Sequence, residues 1–265
     1  MIKCKLENSP IVYYKNKNTG DNNEWILFLH AAFVNHNMFR TQIEYFKNKY
    51  NVVALDIIGH GESADTKKGD DIEKMSQWIY DILQNEKISQ IHIIGVSLGS
   101  VLAQDFANKY PKSVKSLACF GGYDINNFDQ KMQKENGSGQ MLMMLKAIFS
   151  VKWFAEDNKK ISAYTAKAQD EFYEMNIQFP KKSFMYLAGL NKMVNVCKPE
   201  PRTYPLLIGC GEHDIPMELT AVEIWKNTEQ DASVAIFDGA GHCVNMDVPD
   251  KFNKVLKEFF EKGKV

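Results

Sequence analysis

The sequence predicts an α/β fold: a mostly parallel sheet covered by helices on both sides, with one helical insertion. Three observations predict it. Short continuous apolar runs, the pattern of strands buried on both faces, recur along the 265 residues. Amphipathic stretches of helical length separate them. One long stretch, residues 122–200, breaks the alternation and holds no strand-like run. Strands alternating with helices pair in parallel through crossover helices, which cover both faces of the sheet.

In chain order, Ile11–Tyr14 ends in the polar turn Asn16–Gly20 and reads as part of a hairpin. Strands are predicted at Trp25–Leu29, Val52–Leu55, Ile91–Ile94, Val114–Phe120, Tyr204–Ile208 and Ser233–Phe237. Helices are predicted at Asn37–Lys49, Asp71–Asn85, Leu98–Tyr110, Glu218–Asn227 and Pro249–Lys262. Pro249 suits the first turn of the last helix, and Asp247 suits its start. Within 122–200 the helical stretches are Gln140–Phe154, Ile161–Gln178 and Lys182–Val196, set apart by Gly137, Gly139 and Pro180 and closed by Pro199 and Pro201. This segment shows no core of its own, so it reads as a lid. The expected organisation is a core of residues 1–121 and 201–265 with a cap of 122–200.

Composition excludes several classes. A net charge of −1 rules out binding to nucleic acid or an anionic membrane through bulk charge. At 45% hydrophobic and 25% charged residues the chain is an ordinary globular one. Arg40 and Arg202 are the only arginines, a scant supply of forks for carboxylate or phosphate recognition. Five cysteines, Cys4, Cys119, Cys197, Cys210 and Cys243, form no C-x-x-C pair, so neither a disulfide framework nor a zinc pattern is indicated. The first ten residues carry no apolar core of a signal peptide, and no apolar stretch is long enough to span a bilayer. A reduced, cytoplasmic compartment is expected, with no cofactor, no metal and no membrane or nucleic-acid partner.

The strongest chemical signal is Gly95-Val96-Ser97-Leu98-Gly99. It follows a predicted strand and opens a predicted helix, the setting of a nucleophile elbow. The sharp turn demands small residues two before and two after the serine. The helix N-terminus supplies N–H groups and positive potential for an oxyanion. With 16 Gly and 13 Ser in the chain, about 0.05 chance matches are expected, so the motif points to function.

A serine needs a base, and the base needs an orienter. His92 lies inside a buried-strand pattern, and His36 and His213 read as exposed loop residues. His242, in Gly239-Ala240-Gly241-His242, leaves the end of the Ser233–Phe237 strand among small residues and is the base candidate. Asp214 leaves the end of the Tyr204–Ile208 strand, where open α/β sheets place their sites, and Glu212 is its rival. Cys243 reads as a packed small residue, because no elbow surrounds it.

The order Ser97, Asp214, His242 resembles that of the α/β-hydrolase family. Asp56-Ile57-Ile58-Gly59-His60-Gly61-Glu62-Ser63 resembles its D-x-x-G-H-G-x-S loop, and Leu27-Phe28-Leu29-His30-Ala31-Ala32 its strand followed by His-Gly-x. The resemblance implies an eight-stranded sheet with a helical cap inserted after strand 6. It implies that Ser97 attacks, His242 shuttles the proton and Asp214 holds the imidazole. It also implies that the backbone N–H groups of Ala32 and Leu98 form the oxyanion hole, with His30 and His60 structural. Ala31 departs from the family's glycine, which permits backbone conformations that alanine resists.

Residues 122–200 hold 7 of the 12 methionines, Met132, Met141, Met143, Met144, Met175, Met185 and Met193, a concentration suited either to an adaptable apolar acyl pocket or to ordinary packing. The expected activity is hydrolysis of carboxylic esters, or of thioesters and lactones, with small to medium apolar acyl groups. A small-molecule substrate and a monomer or homodimer are expected. A carbon–carbon bond hydrolase or lyase, and a receptor retaining the triad, are the alternatives.

Overall fold

The computed structural model describes residues 1–20, 22–128, 149–196 and 201–263. Eight strands form one sheet: β1 (Ile2–Lys5), β2 (Val12–Asn16), β3 (Trp25–Leu29), β4 (Asn51–Leu55), β5 (Ile91–Val96), β6 (Val114–Phe120), β7 (Leu206–Gly211) and β8 (Ser233–Phe237). Their order is β1-β2-β4-β3-β5-β6-β7-β8. Only the β1–β2 and β2–β4 pairs are antiparallel. The rest are parallel. The central strands β3 to β7 are buried along nearly their whole length and mostly apolar because helices cover both faces.

Ile11–Tyr14 does belong to a hairpin, but its partner precedes it. Ile2 faces Lys15, and Lys5 faces Val12. The segment Ile2–Lys5 carries no apolar run, because an edge strand exposed along most of its length has no face to bury.

The core helices are α1 (Arg40–Phe46), α2 (Met75–Asn85) and α3 (Leu98–Lys109), with α1 and α2 each preceded by a short 3₁₀ turn. Between β6 and β7 come α4 (Val151–Ser162), α5 (Ala166–Asn176) and α6 (Phe184–Leu187). Then follow α7 (Pro216–Thr228), α8 (Val244–Asp247) and α9 (Pro249–Lys262). Ser150 and Thr165 cap α4 and α5, accepting from the N–H groups of Trp153 and Ala168. The α4 helix runs unbroken through the gap expected between Phe154 and Ile161. Most of the predicted Gln140–Phe154 helix lies outside the described residues. Asp247 does not cap α9 as the sequence suggested. Its carboxylate turns instead to the insertion, accepting from Tyr164 N, Thr165 N and Gly241 N.

One apolar layer lies on each side of the sheet. Trp78, Ile79, Leu102 and Phe106 of α2 and α3 belong to one. Phe39, Phe46, Phe252, Leu256 and Phe259 of the 3₁₀ turn before α1, α1 and α9 belong to the other. The insertion joins both, Tyr186 and Met193 in the first and Phe172 in the second. At roughly 25 cal/mol per Å² of apolar surface, each such ring contributes about 2 kcal/mol, so the insertion is held by the core it covers.

Candidate active site

Ser97 joins β5 to α3 with φ 53° and ψ −114°, a conformation non-glycine residues adopt only when their surroundings impose it. The surroundings are the two flanking glycines. A Cβ at Gly95 would collide with the Gly99 carbonyl, and one at Gly99 with the Leu29 carbonyl of β3. The elbow therefore presses against both α3 and the neighbouring strand. Ser97 N–H donates to Phe120 O at the end of β6 (2.8 Å), and the serine is partly exposed.

The next residue, Gly121, lies against the His242 ring, whose Nδ1 and Cε1 are 3.0 Å from where its Cβ would stand. The end of β6 thus meets Ser97 on one side and His242 on the other. His242 Nδ1–H donates to Asp214 Oδ1 (2.9 Å), with the carboxylate fully buried and the ring 14% exposed. Ile215 N–H donates to the same oxygen (2.8 Å). The two loops are knit by Glu212 N to Phe237 O and His213 N to Ala240 O, each 2.9 Å. A side chain on Gly211 would strike the carbonyls of Ala240 and Gly241, so only glycine lets the His242 loop lie on the end of β7. Burial opposes a charge on His242, but the charge and hydrogen bond of Asp214, together with Glu218, outweigh it and carry the ring up to about 9.

Ala32 and Leu98, the residues expected to line an oxyanion hole, lie just after β3 and at the start of α3. Neither N–H has an acceptor among the described residues. Ala31 needs no glycine, because its φ is negative, and it is Phe33, two residues on, that takes the left-handed conformation (φ 70°). Ala31 N–H points to Met38 Sδ (3.1 Å).

The remaining histidines sort by their partners. His30 donates from Nδ1 to Ala31 O (2.7 Å) and accepts at Nε2 from Ile57 N–H (2.9 Å), tying the ends of β3 and β4. Burial holds it down to about 4, and burial with His30 beside it holds His60 to about 3, so both stay neutral. His92 is buried and bonded to Ser116 Oγ, and His213 is exposed, as expected. His36 is not the exposed loop residue the sequence suggested. Its ring stacks on Tyr14 at 3.7 Å and its Nδ1 lies 2.8 Å from the buried Asp56. Asp56 also accepts from the N–H groups of His36 and Glu62, so it organises the loop after β4. No spacing links positions 14, 36 and 56, so nothing in the sequence marks this arrangement.

Cys243 is fully buried, its thiol pushed well above the ordinary range by burial and by Asp247 and Asp214. It packs and is no nucleophile. Arg40 is exposed and pairs with Glu171 of α5 (3.2 Å), and Arg202 pairs with Glu229 (2.9 Å). Of the insertion's methionines, Met132, Met141, Met143 and Met144 lie outside the described residues. Met193 is packed into the core and Met175 is half-buried against it, as the packing alternative expects, whereas Met185 is 69% exposed and follows neither alternative. The apolar character beside the site comes instead from rings. Phe33 contacts Phe154, Phe179 and Phe184, with centroids 4.9 to 5.5 Å apart. Among the described residues no cluster of three His, Cys, Asp or Glu side chains is set to hold a metal ion.

A strand–elbow–helix serine and an Asp–His pair at the carboxyl ends of a parallel sheet define a class. The family model for the alpha/beta hydrolase fold matches residues 24–146, and the eight-stranded, mostly parallel sheet flanked by helices has that fold. The chain is 24% identical to 3-oxoadipate enol-lactonase 1 of Acinetobacter baylyi over 254 residues, 91% of this chain and 90% of that one. It is 23% identical to epoxide hydrolase 3 of Xenopus tropicalis over 282 residues, 97% of this chain and 77% of that one. An esterase from Exiguobacterium antarcticum superposes with a TM-score of 0.80 at 16% identity, over 95% of this chain and 96% of that one.

Proposed function

We propose that this α/β-hydrolase is a serine hydrolase of carboxylic esters, or of the related thioesters and lactones, with small to medium apolar acyl groups. The observation that carries the reading is the Asp214–His242 hydrogen bond of 2.9 Å beside the strained elbow of Ser97. His242 Nε2 takes the Ser97 proton as Oγ attacks the acyl carbon. The N–H groups of Ala32 and Leu98 receive the developing oxyanion. His242 then gives its proton to the leaving alcohol, and an acyl group remains on Ser97. Water, deprotonated by the same ring, attacks the acyl-enzyme, and His242 returns the proton to Ser97 as the acid departs.

Phe33, directly after Ala32, supports apolar acyl groups, since its ring and those of Phe154, Phe179 and Phe184 lie next to the donor. The enol-lactonase and esterase among the similar proteins fit this reading. An aspartate nucleophile, the family's alternative for epoxides, is disfavoured by the serine at the elbow. Reactions on acidic substrates are disfavoured because Arg40 is engaged with Glu171.

The test is a panel of p-nitrophenyl esters, thioesters and lactones, with fluorophosphonate labelling and Ser97→Ala as control. Turnover and labelling that both vanish in Ser97→Ala are expected. A folded protein that the probe leaves unlabelled would overturn the reading, and a signalling role that survives Ser97→Ala would favour a receptor.

A further inference from the structure

A second carboxyl is buried beside the Asp214–His242 pair. Glu218 lies in the first turn of α7, four residues after Asp214, and is 5% exposed. Its Oε2 is buried without a hydrogen-bond partner among the described residues, and so is Asp214 Oδ2. A lone carboxylate in such a place is costly, and two beside each other more so. One proton between the two orphaned oxygens relieves both.

The groups facing Glu218 come from four elements. They are Asp214 after β7, His242 after β8, Cys210 on β7 and Tyr123 after β6. Burial pushes Tyr123 and Cys210 to about 12, so both stay neutral. Burial raises Glu218 to about 7, with Asp214 adding to the rise and His242 opposing it.

We propose that Glu218 is a positioning residue whose protonated carboxyl donates to Asp214 Oδ2, fixing the carboxylate whose Oδ1 holds the His242 ring. This rests on the Ser97–His242–Asp214 reading above. The neutral carboxyl has a second effect. Ionised Glu218 is one of the charges that keep a proton on His242, and a ring already protonated cannot take the proton of Ser97. A shared proton thus fixes the ring's orienter and frees its base site together.

The experiment compares Glu218→Met, Glu218→Gln and Ser97→Ala in the full chain. It measures kcat and KM on p-nitrophenyl butyrate from pH 5 to 9, and the downfield proton signal of His242 Nδ1–H. In Glu218→Met, kcat at pH 7 is expected to fall about tenfold with KM unchanged within twofold, and the Nδ1–H signal to broaden. Glu218→Gln, whose amide donates but cannot ionise, is expected to recover most of that loss and keep the signal. A Glu218→Met protein with wild-type kcat and signal overturns the proposal. If that variant does not fold, a Glu218→Gln protein that loses the Nδ1–H signal overturns it. Turnover that survives Ser97→Ala overturns the triad reading instead, and the Nδ1–H signal in the Ser97→Ala background still decides the role of Glu218.

Discussion

Asp247→Ala should loosen the His242 loop and the insertion together. The carboxylate accepts from Tyr164 N (3.0 Å), Thr165 N (2.7 Å), Thr165 Oγ1 (2.9 Å) and Gly241 N (2.9 Å), and it is buried. Alanine leaves three backbone N–H groups without an acceptor. A buried donor left unmade costs about 1–3 kcal/mol. Tyr164 is half exposed, so water satisfies part of the debt there, while Gly241 is buried and stays unsatisfied. The expected loss is roughly 3–5 kcal/mol in urea unfolding, with the midpoint falling at unchanged m-value. Asp247→Asn keeps one acceptor oxygen but turns an amide toward N–H groups, and should cost about 2 kcal/mol. Because Gly241 precedes His242, kcat should fall more than the stability loss at 25 °C explains. An Asp247→Ala protein within about 1 kcal/mol of wild type would refute the reasoning, since no set of unmade bonds could then be present.

Other perturbations follow from the same contacts. Asp214→Asn removes the charge and tautomer control on His242, and kcat should drop about 10³–10⁴-fold with little change in KM, as steady-state kinetics would show. Phe33→Ala deletes three ring contacts while keeping the left-handed backbone, and thermal unfolding should report a loss of about 2 kcal/mol for this half-buried ring. Stability should also fall as pH rises. The folded values of Glu218 (about 7) and His242 (about 9) both lie above their ordinary 4.5 and 6.5. The stabilisation present below those ordinary values is therefore lost between pH 4.5 and 9, by at most about 3 kcal/mol per group. Urea midpoints across that range would measure it, and Glu218→Gln should flatten the lower part.

The sheet was legible because its central strands are buried on both faces and so write continuous apolar runs. Trp25–Leu29 and Val114–Phe120 match strand for strand, and so does the edge strand Ser233–Phe237, which is apolar though only partly buried. β1 was not, since an edge strand with Lys3 and Lys5 carries no such signal. The elbow was legible for a steric reason, because Gly95 and Gly99 are dictated by carbonyls that a Cβ would strike. Asp214 and His242 could be read from their places at strand ends. Glu218 and Asp247 could not. Each looked like an ordinary helix-end acid, and what distinguishes them is burial by loops distant in sequence. His36 was misread for the same reason, as its partners Tyr14 and Asp56 come from other strands and loops.

Among the places where the insertion meets the core are the two loops on which the proposed chemistry depends. Phe33, one residue past Ala32, lies among Phe154, Phe179 and Phe184. On the other side the α4–α5 turn grips the His242 loop through Asp247 and through Cys243 N–H donating to Ser162 O (2.7 Å). Rings tolerate sliding, because dispersion is non-directional, whereas four donors held in hydrogen bonds of fixed geometry do not. The α4–α5 turn over His242 is therefore fixed by geometry, whereas the rings over the oxyanion loop can repack, within a segment that Tyr186 Oη, donating to Thr66 Oγ1 (2.6 Å), and Lys192, paired with Glu73, tie to the core. A substrate that displaces the rings can reach Ser97 without disturbing the Asp214–His242 pair. Locking that aromatic end should then slow entry and raise KM while leaving single-turnover acylation unchanged. A cysteine pair engineered between positions 33 and 184, assayed oxidised and reduced, measures both, and a fall in the acylation rate with no change in KM would show the fixed end to be elsewhere.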